Sequence, residues 1–334
     1  MLPRTYIASN GVDTNDGRLA TPCRSIGAAL AQTNPGGEII VLDSAGYGTA
    51  VINKSVAVIA PPGIYAGITI TAGVGIDVTS GVVTLRGLTL RGPGGAVGIH
   101  VGNATVFVDH CVISGMAQFG VHADVANADV HVRDTQISQC SEGLRFDGGV
   151  RFSLDRVASE GNGSVGLNVL NGARGNARDL VITRNGSHGI SVQTGTAGTE
   201  AYFALDGALV AANGGCGISA GIPAAVAARV NVAVTRATLA DNGSDGILAS
   251  TQGAGAATVE LSDTAIDANA GRGVAAMGNG AMLVACGNRV TRNVAFGFLQ
   301  SGGGTIKSEQ DNMVDGNNMG GPQASGALIA LPGL

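Results

Sequence analysis

Small and apolar residues recur along this chain at a long interval. A glycine followed by an apolar residue returns nine times, at Gly98, Gly120, Gly143, Gly166, Gly189, Gly217, Gly246, Gly273 and Gly297. The steps between these repeat glycines are 22, 23, 23, 23, 28, 29, 27 and 24 residues. The residue that follows is apolar in every case, from Ile99 to Phe298. A period in this range is typical of solenoid proteins.

Asparagine forms a second column within the same repeat. From Asn162 onward an Asn lies four residues before the repeat glycine, as in NGSVGL, NGSHGI, NGGCGI and NGSDGI. Short β-type runs lie between the repeats, and helical 3.6-residue spacing is absent. We therefore predict a parallel β-helix whose turns stack about 4.8 Å apart. Apolar columns then fill the interior, asparagines hydrogen-bond along the axis, and glycine supplies left-handed corners.

The other solenoid with a comparable period, the leucine-rich repeat, lacks support because its L-x-x-L-x-L spacing and helical arc do not occur. One helix is predicted, over residues 25–33, with Ser25 as its N-cap and Asn34-Pro35-Gly36-Gly37 as its stop. A solenoid exposes its core at each end and needs a cap there. The predicted fold class is all-β, a single-stranded right-handed parallel β-helix of about 11 coils with an N-terminal capping helix.

The predicted organisation is one elongated domain in three parts. Residues 1–37 form the N-terminal cap with its helix, residues 38–318 form the coils, and residues 319–334 form a C-terminal tail or cap. No linker or change in composition interrupts the repeat.

Composition narrows the classes of function. A chain with 45% hydrophobic residues, 55 Gly and no Trp suits the narrow interior of a solenoid. The net charge of −5 and the lack of a basic run argue against a nucleic-acid partner. No apolar run approaches 18 residues, so no membrane span is expected. The five cysteines lack metal-ligand spacing, and we interpret them as small core residues.

Location and assembly are less constrained. No signal-peptide core precedes Thr21, which fits either a cytoplasmic protein or an exported one whose signal lies outside this chain. The presence of only two lysines, together with the richness in Thr, Ser, Asn and Gly, favours a secreted, periplasmic or cell-surface protein. The oligomeric state stays open.

The opening segment YIASNGVDTNDGRLATPCRSIGAALAQTNPGGEIIVLDSAGYG resembles that of bacterial right-handed parallel β-helix repeat proteins of the pectate-lyase-like superfamily. The resemblance extends from Tyr6 to about Asn317. It implies the same fold and an association with carbohydrate, because characterised relatives are lyases, hydrolases or epimerases of acidic polysaccharides, or proteins that bind them. Asp109-His110-Cys111 is similar to part of one pectate lyase motif, whereas the R-x-P-x-x-R, D-P-H-E and calcium-repeat signatures do not occur.

The strand register brings candidate site residues together. Positions +1 and +3 after each repeat glycine are predicted to point inward, and positions +2 and +4 outward. The resulting catalytic candidates are His122, Asp124, Arg145 and Asp147, and the binding candidates are His100, Glu142 and Asn168. An arginine flanked by carboxylates and imidazoles suits an acidic sugar, as a carboxylate-binding group or as part of an acid–base pair. Asp124 and Asp147 are also candidate calcium ligands, and no other cofactor is expected.

The same arrangement also fits a simple charge ladder on a solvated sheet. A second charged row, around Asp109, Arg133, Asp155 and Arg178, is interpreted as such a ladder at a corner. Three functions therefore stay open. The first is an exported β-helix that binds or displays polysaccharide without established catalysis, the second is a lyase or glycoside hydrolase acting on acidic polysaccharide, and the third is a purely structural surface or assembly protein. The missing signatures and the 3% aromatic content weigh against the second, enzymatic function.

Overall fold

The computed structural model describes residues 1–326 and 328–330. Within them the protein is an all-β parallel solenoid of about 12 turns, with a single α-helix, α1 (Ile26–Gln32). The chain divides into two compact units. The first comprises Met1–Phe146 and Val150–Ala158, and the second comprises Asp147–Gly149 and the residues from Ser159 onward.

The first unit is built from short parallel strands in three rows. Its strands are β1 (Leu2–Ile7), β2 (Thr33–Val41), β3 (Ala45–Gly46), β4 (Ala50–Ile52), β5 (Val56–Ile59), β6 (Ala66–Thr69), β7 (Val74–Arg86), β8 (Leu88–Arg91), β9 (Val97–Asp109), β10 (Val112–Ser114), β11 (Phe119–Ala123), β12 (Asp129–Arg133), β13 (Gln136–Ser138), β14 (Glu142–Phe146) and β15 (Arg151–Asp155). Strands β4, β7, β9, β11 and β14 form one row. Strands β1, β2, β5, β7, β9, β12 and β15 form the next row, and β3, β6, β8, β10 and β13 form the third.

The strands from residue 158 onward follow the same plan. They are β16 (Ala158–Glu160), β17 (Leu167–Leu170), β18 (Arg174–Thr183), β19 (Ile190–Gln193), β20 (Glu200–Ala211), β21 (Ile218–Ile222), β22 (Arg229–Ala240), β23 (Ile247–Thr251), β24 (Ala256–Ser262), β25 (Ala265–Asp267), β26 (Val274–Met277), β27 (Ala281–Cys286), β28 (Arg289–Thr291), β29 (Phe298–Ser301), β30 (Thr305–Ser308), β31 (Met313–Asp315), β32 (Ala324–Ser325) and β33 (Ile329–Ala330). A short 3₁₀ turn spans Asn318–Gly320.

The predicted interior column is confirmed within each unit. Val121 pairs with Ile99 on one side and with Leu144 on the other, and all three side chains are fully buried. In the second unit the same column runs from Leu167 to Phe298, and no member is more than 1% exposed. Burial of a side chain of this size contributes about 1.5–3 kcal/mol, so the column is a main source of stability.

The predicted asparagine ladder is also confirmed. In the second unit six successive Asn side chains, from Asn162 to Asn293, donate from Nδ2 to Oδ1 of the Asn in the next turn, over distances of 2.8–3.0 Å. We call this series the asparagine ladder; its members are Asn162, Asn185, Asn213, Asn242, Asn269, Asn293 and Asn317. All seven are buried. The ladder lets buried amides satisfy one another, which a lone buried amide cannot do.

The repeat glycines are required for space rather than for left-handed backbone. A Cβ on Gly246 would lie 2.7 Å from the carbonyl oxygen of Gly273 and 2.4 Å from a methyl group of Ile266. The prediction that glycine supplies the left-handed corners is only partly right. Gly87 does so (φ 72°), but His110 and other non-glycine residues adopt the same conformation (φ 52° at His110).

The N-terminal helix is close to the prediction. Ser25 Oγ accepts a hydrogen bond from the amide of Ala28 at 3.2 Å, which caps the helix. Its apolar face is buried. The helix ends at Gln32, just before the predicted stop at residues 34–37, and β2 starts at Thr33. Strand β1 already pairs with β2, which accounts for about 12 turns where about 11 were predicted.

Three further predictions concern single features of the chain. All five cysteines lie in the described residues and are free, and four of them are buried, as expected of core residues. Within residues 1–326 and 328–330, no helix has the length and apolarity that a transmembrane span requires. Of the predicted tail, β32 and β33 add parallel strands to β29 and β30, whereas residues 327 and 331–334 lie outside the described residues. The division of the chain at residues 38 and 318 stays a prediction.

Candidate functional site

The candidate residues of the first unit lie on the outer side of the row formed by β7, β9, β11 and β14. His100, His122 and Arg145 occupy paired positions on three neighbouring strands, as the register predicted. Asp77 on β7 pairs with His100, and Asp124 follows the end of β11. We call these five residues the histidine face. Their side chains alternate with the buried column, so that all five leave the sheet on its outer side.

His100 lies between two carboxylates. Its Nδ1 is 2.8 Å from Oδ1 of Asp77, and its Nε2 is 3.3 Å from Oδ1 of Asp124. Partial burial lowers the pKa of His100, but the hydrogen bonds to the two carboxylates raise it by more, and the net shift is upward. Because an ionised carboxylate can only accept a hydrogen bond, the N–H at Nδ1 of His100 is the donor of the hydrogen bond to Asp77.

His122 packs against an aromatic ring beside the same carboxylate. Its Nε2 is 4.0 Å from Oδ2 of Asp124, and its ring lies 5.6 Å from the ring of His100. The ring of Phe119 is 4.5 Å from that of His122 and tilted by 40°. The His122 side chain is 15% exposed and that of Asp124 is 48% exposed. The imidazole is therefore held by packing, whereas the carboxylate is open to solvent.

Arg145 is held beside the imidazoles by two neighbours. Its guanidinium carbon lies 5.3 Å from the centre of the Phe119 ring, a cation–π distance, and its Nη1 is 3.4 Å from Oε1 of Glu142. The side chain of Arg145 is 28% exposed. A guanidinium oriented in this way presents a planar set of donors at the surface, which suits a carboxylate ligand.

Two of the predicted site residues belong to the second unit. Asp147 accepts a hydrogen bond from Nδ2 of Asn171 at 3.0 Å. Asn168 was predicted to face solvent as a binding residue. This prediction is wrong, because Asn168 is only 8% exposed. The physical reason is that strand alternation fixes the side of the sheet from which a side chain leaves, not what packs against that side. The roles predicted for these residues, including calcium binding by Asp124 and Asp147, stay predictions.

The second charged row forms the predicted ladder in the first unit. Asp109 contacts Nε of Arg133 at 3.1 Å, and Asp134 contacts Nε of Arg156 at 2.7 Å. The motif-like His110 sits in this ladder, with Nδ1 2.7 Å from Asp109. The adjacent thiol is no candidate nucleophile: full burial raises the pKa of Cys111 to about 12, which keeps it protonated.

Sequence reasoning missed Asp77 and Phe119. A signal for the first was present, because Gly75 lies 23 residues before Gly98 and extends the glycine column by one turn. Asp77 then falls at position +2, the position of His100 in the next turn. Phe119 occupies the position before the repeat glycine that Glu142 occupies one turn later, and the two pair across the strands.

Comparisons with known proteins agree with this fold. A family model described as the right handed beta helix region matches residues 72–222. The A-module of mannuronan C-5 epimerase AlgE4 from Azotobacter vinelandii superposes with a TM-score of 0.68 at 16% identity, over 89% of this chain and 90% of that one. The AlgE6 A-module from the same organism gives 0.67 at 16% identity, over 90% and 92%. Pectate lyase Pel9A gives 0.56 at 16% identity, over 97% and 81%.

A search of curated proteins finds no match. The structural likenesses, at 16% identity, concern the fold. The predicted resemblance to right-handed parallel β-helix proteins is confirmed at that level. The chain is thus a right-handed parallel β-helix protein, and its neighbours in fold include enzymes of polysaccharide metabolism.

Proposed function

We propose that this protein is exported and binds an acidic polysaccharide on the histidine face, without established turnover. One observation carries the proposal: the imidazoles of His100 and His122 and the guanidinium of Arg145 lie in one row, at paired positions on adjacent strands. Such a row repeats at the strand spacing of about 4.8 Å. A polymer that repeats a carboxylate along its length is the kind of ligand that a regular row of such groups fits.

On the histidine face, Asp77 and Asp124 contact the imidazole of His100, and Arg145 is the group that favours an acidic ligand. The whole chain carries −5, so a polyanion is attracted only where donors and cations are concentrated. Arg145 supplies a fixed positive charge, and Phe119 beneath it adds an aromatic surface of the kind that packs against a sugar ring. Mannuronan and pectate, which appear in the names of the structural neighbours, are both polymers of uronic acids.

The test is titration calorimetry with oligomannuronate and oligogalacturonate in the presence of EDTA. We expect the wild type to bind one of them and Arg145→Ala to bind at least tenfold more weakly, because a hydrogen bond to a charged group contributes about 1.5–3 kcal/mol. Arg151→Ala is the matched control, since Arg151 is an exposed arginine of β15 in the same unit. Equal affinity of Arg145→Ala and wild type would contradict the proposed site. Absence of binding to either polymer would favour the structural or assembly function instead.

A second candidate function, a lyase or epimerase reaction at a uronate, is favoured by the contacts of His100. An imidazole held between Asp77 and Asp124, beside a second imidazole, is an arrangement that can move a proton. His122 would remove the proton on the carbon next to the sugar carboxylate, and Arg145 would stabilise the charge that develops on that carboxylate. In an epimerase, a proton from solvent would then add to the opposite face of that carbon. In a lyase, the glycosidic C–O bond at the neighbouring carbon would break instead, which leaves a C=C bond and releases the linked sugar as an alcohol after protonation by solvent. Turnover is tested by incubating polymannuronate and polygalacturonate with the protein in D₂O. Deuterium incorporation or unsaturated products, lost in His122→Ala, would establish this reaction. If the wild type gives no deuterium incorporation and no unsaturated product, the reaction is excluded for these polymers.

A further inference from the structure

We propose that His100, His122 and Asp124 bind a divalent transition-metal ion such as Zn²⁺, a property that does not rest on polysaccharide binding. One ligand atom from each residue lies within 4.8 Å of the other two. The distance from His100 Nε2 to Asp124 Oδ1 is 3.3 Å, and that from His122 Nε2 to Asp124 Oδ2 is 4.0 Å. All three residues belong to the first unit.

These distances are near those of a tetrahedral zinc site. With metal–ligand bonds of about 2.0–2.1 Å, ligand atoms lie about 3.3 Å from one another. The contact between His100 and Asp124 already has this length. The longer distance to His122 shortens by rotation of the Asp124 side chain, which is 48% exposed and has room to turn.

The second nitrogen of His100 provides an independent argument. Nδ1 lies 2.8 Å from a carboxylate oxygen of Asp77, which fixes the ring and leaves Nε2 directed at Asp124. Histidines that ligate metals in proteins characteristically donate their other ring N–H to a carboxylate or carbonyl, which sets the tautomer and makes the ligand more basic. Asp77 is thus a positioning residue. The Phe119 ring, 4.5 Å from that of His122, restrains the second imidazole.

The donor set selects the class of metal. Two imidazole nitrogens and one carboxylate suit Zn²⁺, Ni²⁺, Co²⁺ or Cu²⁺, whereas Ca²⁺ and Mg²⁺ prefer oxygen ligands. This site therefore differs from the calcium site predicted at Asp124 and Asp147. Three protein ligands leave at least one coordination position for water or for an anionic group of a bound molecule.

A second cluster in the first unit, with similar distances between its ligand atoms, is less suitable for a metal ion. Asp109, His110 and Asp134 also bring three ligand atoms within 4.8 Å of one another. Both carboxylates, however, are engaged by arginines, Asp109 by Arg133 and Asp134 by Arg156. A metal there has to displace guanidinium groups, while Asp124 faces two imidazoles.

The test is calorimetric titration of untagged, EDTA-treated protein with zinc chloride. We expect one zinc per chain with a dissociation constant of about 10 µM or below, and at least tenfold weaker binding by His122→Ala and by Asp124→Asn. His131→Ala is the matched control and should bind as the wild type does, since His131 is a partly exposed histidine 3.4 Å from a carboxylate of Asp129 on β12. Circular dichroism without metal checks that each variant is folded.

Asp77 needs a readout that separates positioning from folding. Asp77→Ala should weaken zinc binding by about 10–100-fold, the usual effect of removing an outer-shell partner. Asp77→Asn should recover most of the affinity, because its Oδ1 still accepts from Nδ1 of His100. The visible spectrum of the Co²⁺-loaded protein should show the same ligand set in both. The proposal is overturned if the wild type binds no zinc at 100 µM, if His122→Ala and Asp124→Asn bind as tightly as the wild type, or if calcium binds and zinc does not. Because the polysaccharide titration is done in EDTA, its outcome does not depend on bound metal. A negative result for one proposal therefore does not affect the test of the other.

Discussion

Asn242 lies in the middle of the asparagine ladder and is 1% exposed. Its Nδ2 donates to Oδ1 of Asn269 at 2.9 Å and to the carbonyl oxygen of Val210 at 3.1 Å. Its Oδ1 accepts from the side chain of Asn213 at 3.0 Å and from the backbone amide of Asn213 at 3.2 Å. The substitution Asn242→Ala removes all four of these hydrogen bonds at once.

The expected loss of stability depends on which hydrogen bonds the partners of Asn242 still make in the variant. The side-chain amide of Asn213 still donates to the carbonyl of Ile182 at 3.1 Å, and Oδ1 of Asn269 still accepts from the amide of residue 242 at 3.1 Å. The backbone amide of Asn213 loses its ladder acceptor, and a buried donor left in this way costs about 1–3 kcal/mol. With about 1 kcal/mol for each of the other three bonds, the free energy of unfolding should fall by about 4–6 kcal/mol.

The assay is urea unfolding followed by circular dichroism, together with hydrogen exchange of the Asn213 amide. Asn242→Ala should lower the urea midpoint and also expose the Asn213 amide to faster exchange. Asn279→Ala is the control, because Asn279 is exposed in a turn of the same unit, and a change there should stay within about 0.5 kcal/mol. A loss below about 1 kcal/mol for Asn242→Ala, or unchanged exchange at Asn213, would refute the claim that the ladder stabilises the stack.

Three further predictions concern packing and pH. Leu167→Asp places an unpaired charge at a fully buried position and should abolish cooperative unfolding; a soluble variant with a near-native melting temperature would contradict the assigned register. Gly246→Ala should destabilise by about 1–3 kcal/mol through overpacking, whereas Gly195→Ala, where an added Cβ meets nothing within 4 Å, should be nearly neutral; equal effects would show that space is not the constraint. The hydrogen bond from Arg292 lowers the pKa of Asp267 despite partial burial. Its stabilisation, at most about 1 kcal/mol for so exposed an arginine, is therefore present above the unfolded-state pKa and is lost as the pH falls through the folded-state value. Asp267→Asn should accordingly be less stable than wild type at pH 7 and equal to it at low pH, which urea midpoints at both pH values will show; a pH-independent difference would count against the linkage.

Much of the fold follows from the sequence because stacking repeats the same local problem in every turn. The column through Val121 and Leu144 was predictable, since each position must bury a side chain against the next turn. The asparagine ladder was predictable for the same reason. The corners were harder, because a left-handed residue whose side chain faces outward need not be glycine, as His110 shows (φ 52°).

The candidate site was predictable only as a set of neighbours. The register placed His100, His122 and Arg145 on one face, and the structure agrees. It did not reveal which carboxylate each imidazole contacts, because that depends on side-chain rotamers and not on strand spacing. The burial of Asn168 was missed since alternation carries no information on what lies beyond the sheet.

The most direct test of polysaccharide binding uses the five histidines of the chain as reporters. Two of them, His100 and His122, lie on the proposed site, and the other three are His110, His131 and His188. The measurement is an NMR titration of the imidazole resonances with oligomannuronate and oligogalacturonate, with EDTA present. Binding on the histidine face predicts saturable shifts of His100 and His122 that are larger than any shift of the other three. Saturable shifts confined to His110, His131 or His188, or no shift of any imidazole at saturating oligosaccharide, would contradict it.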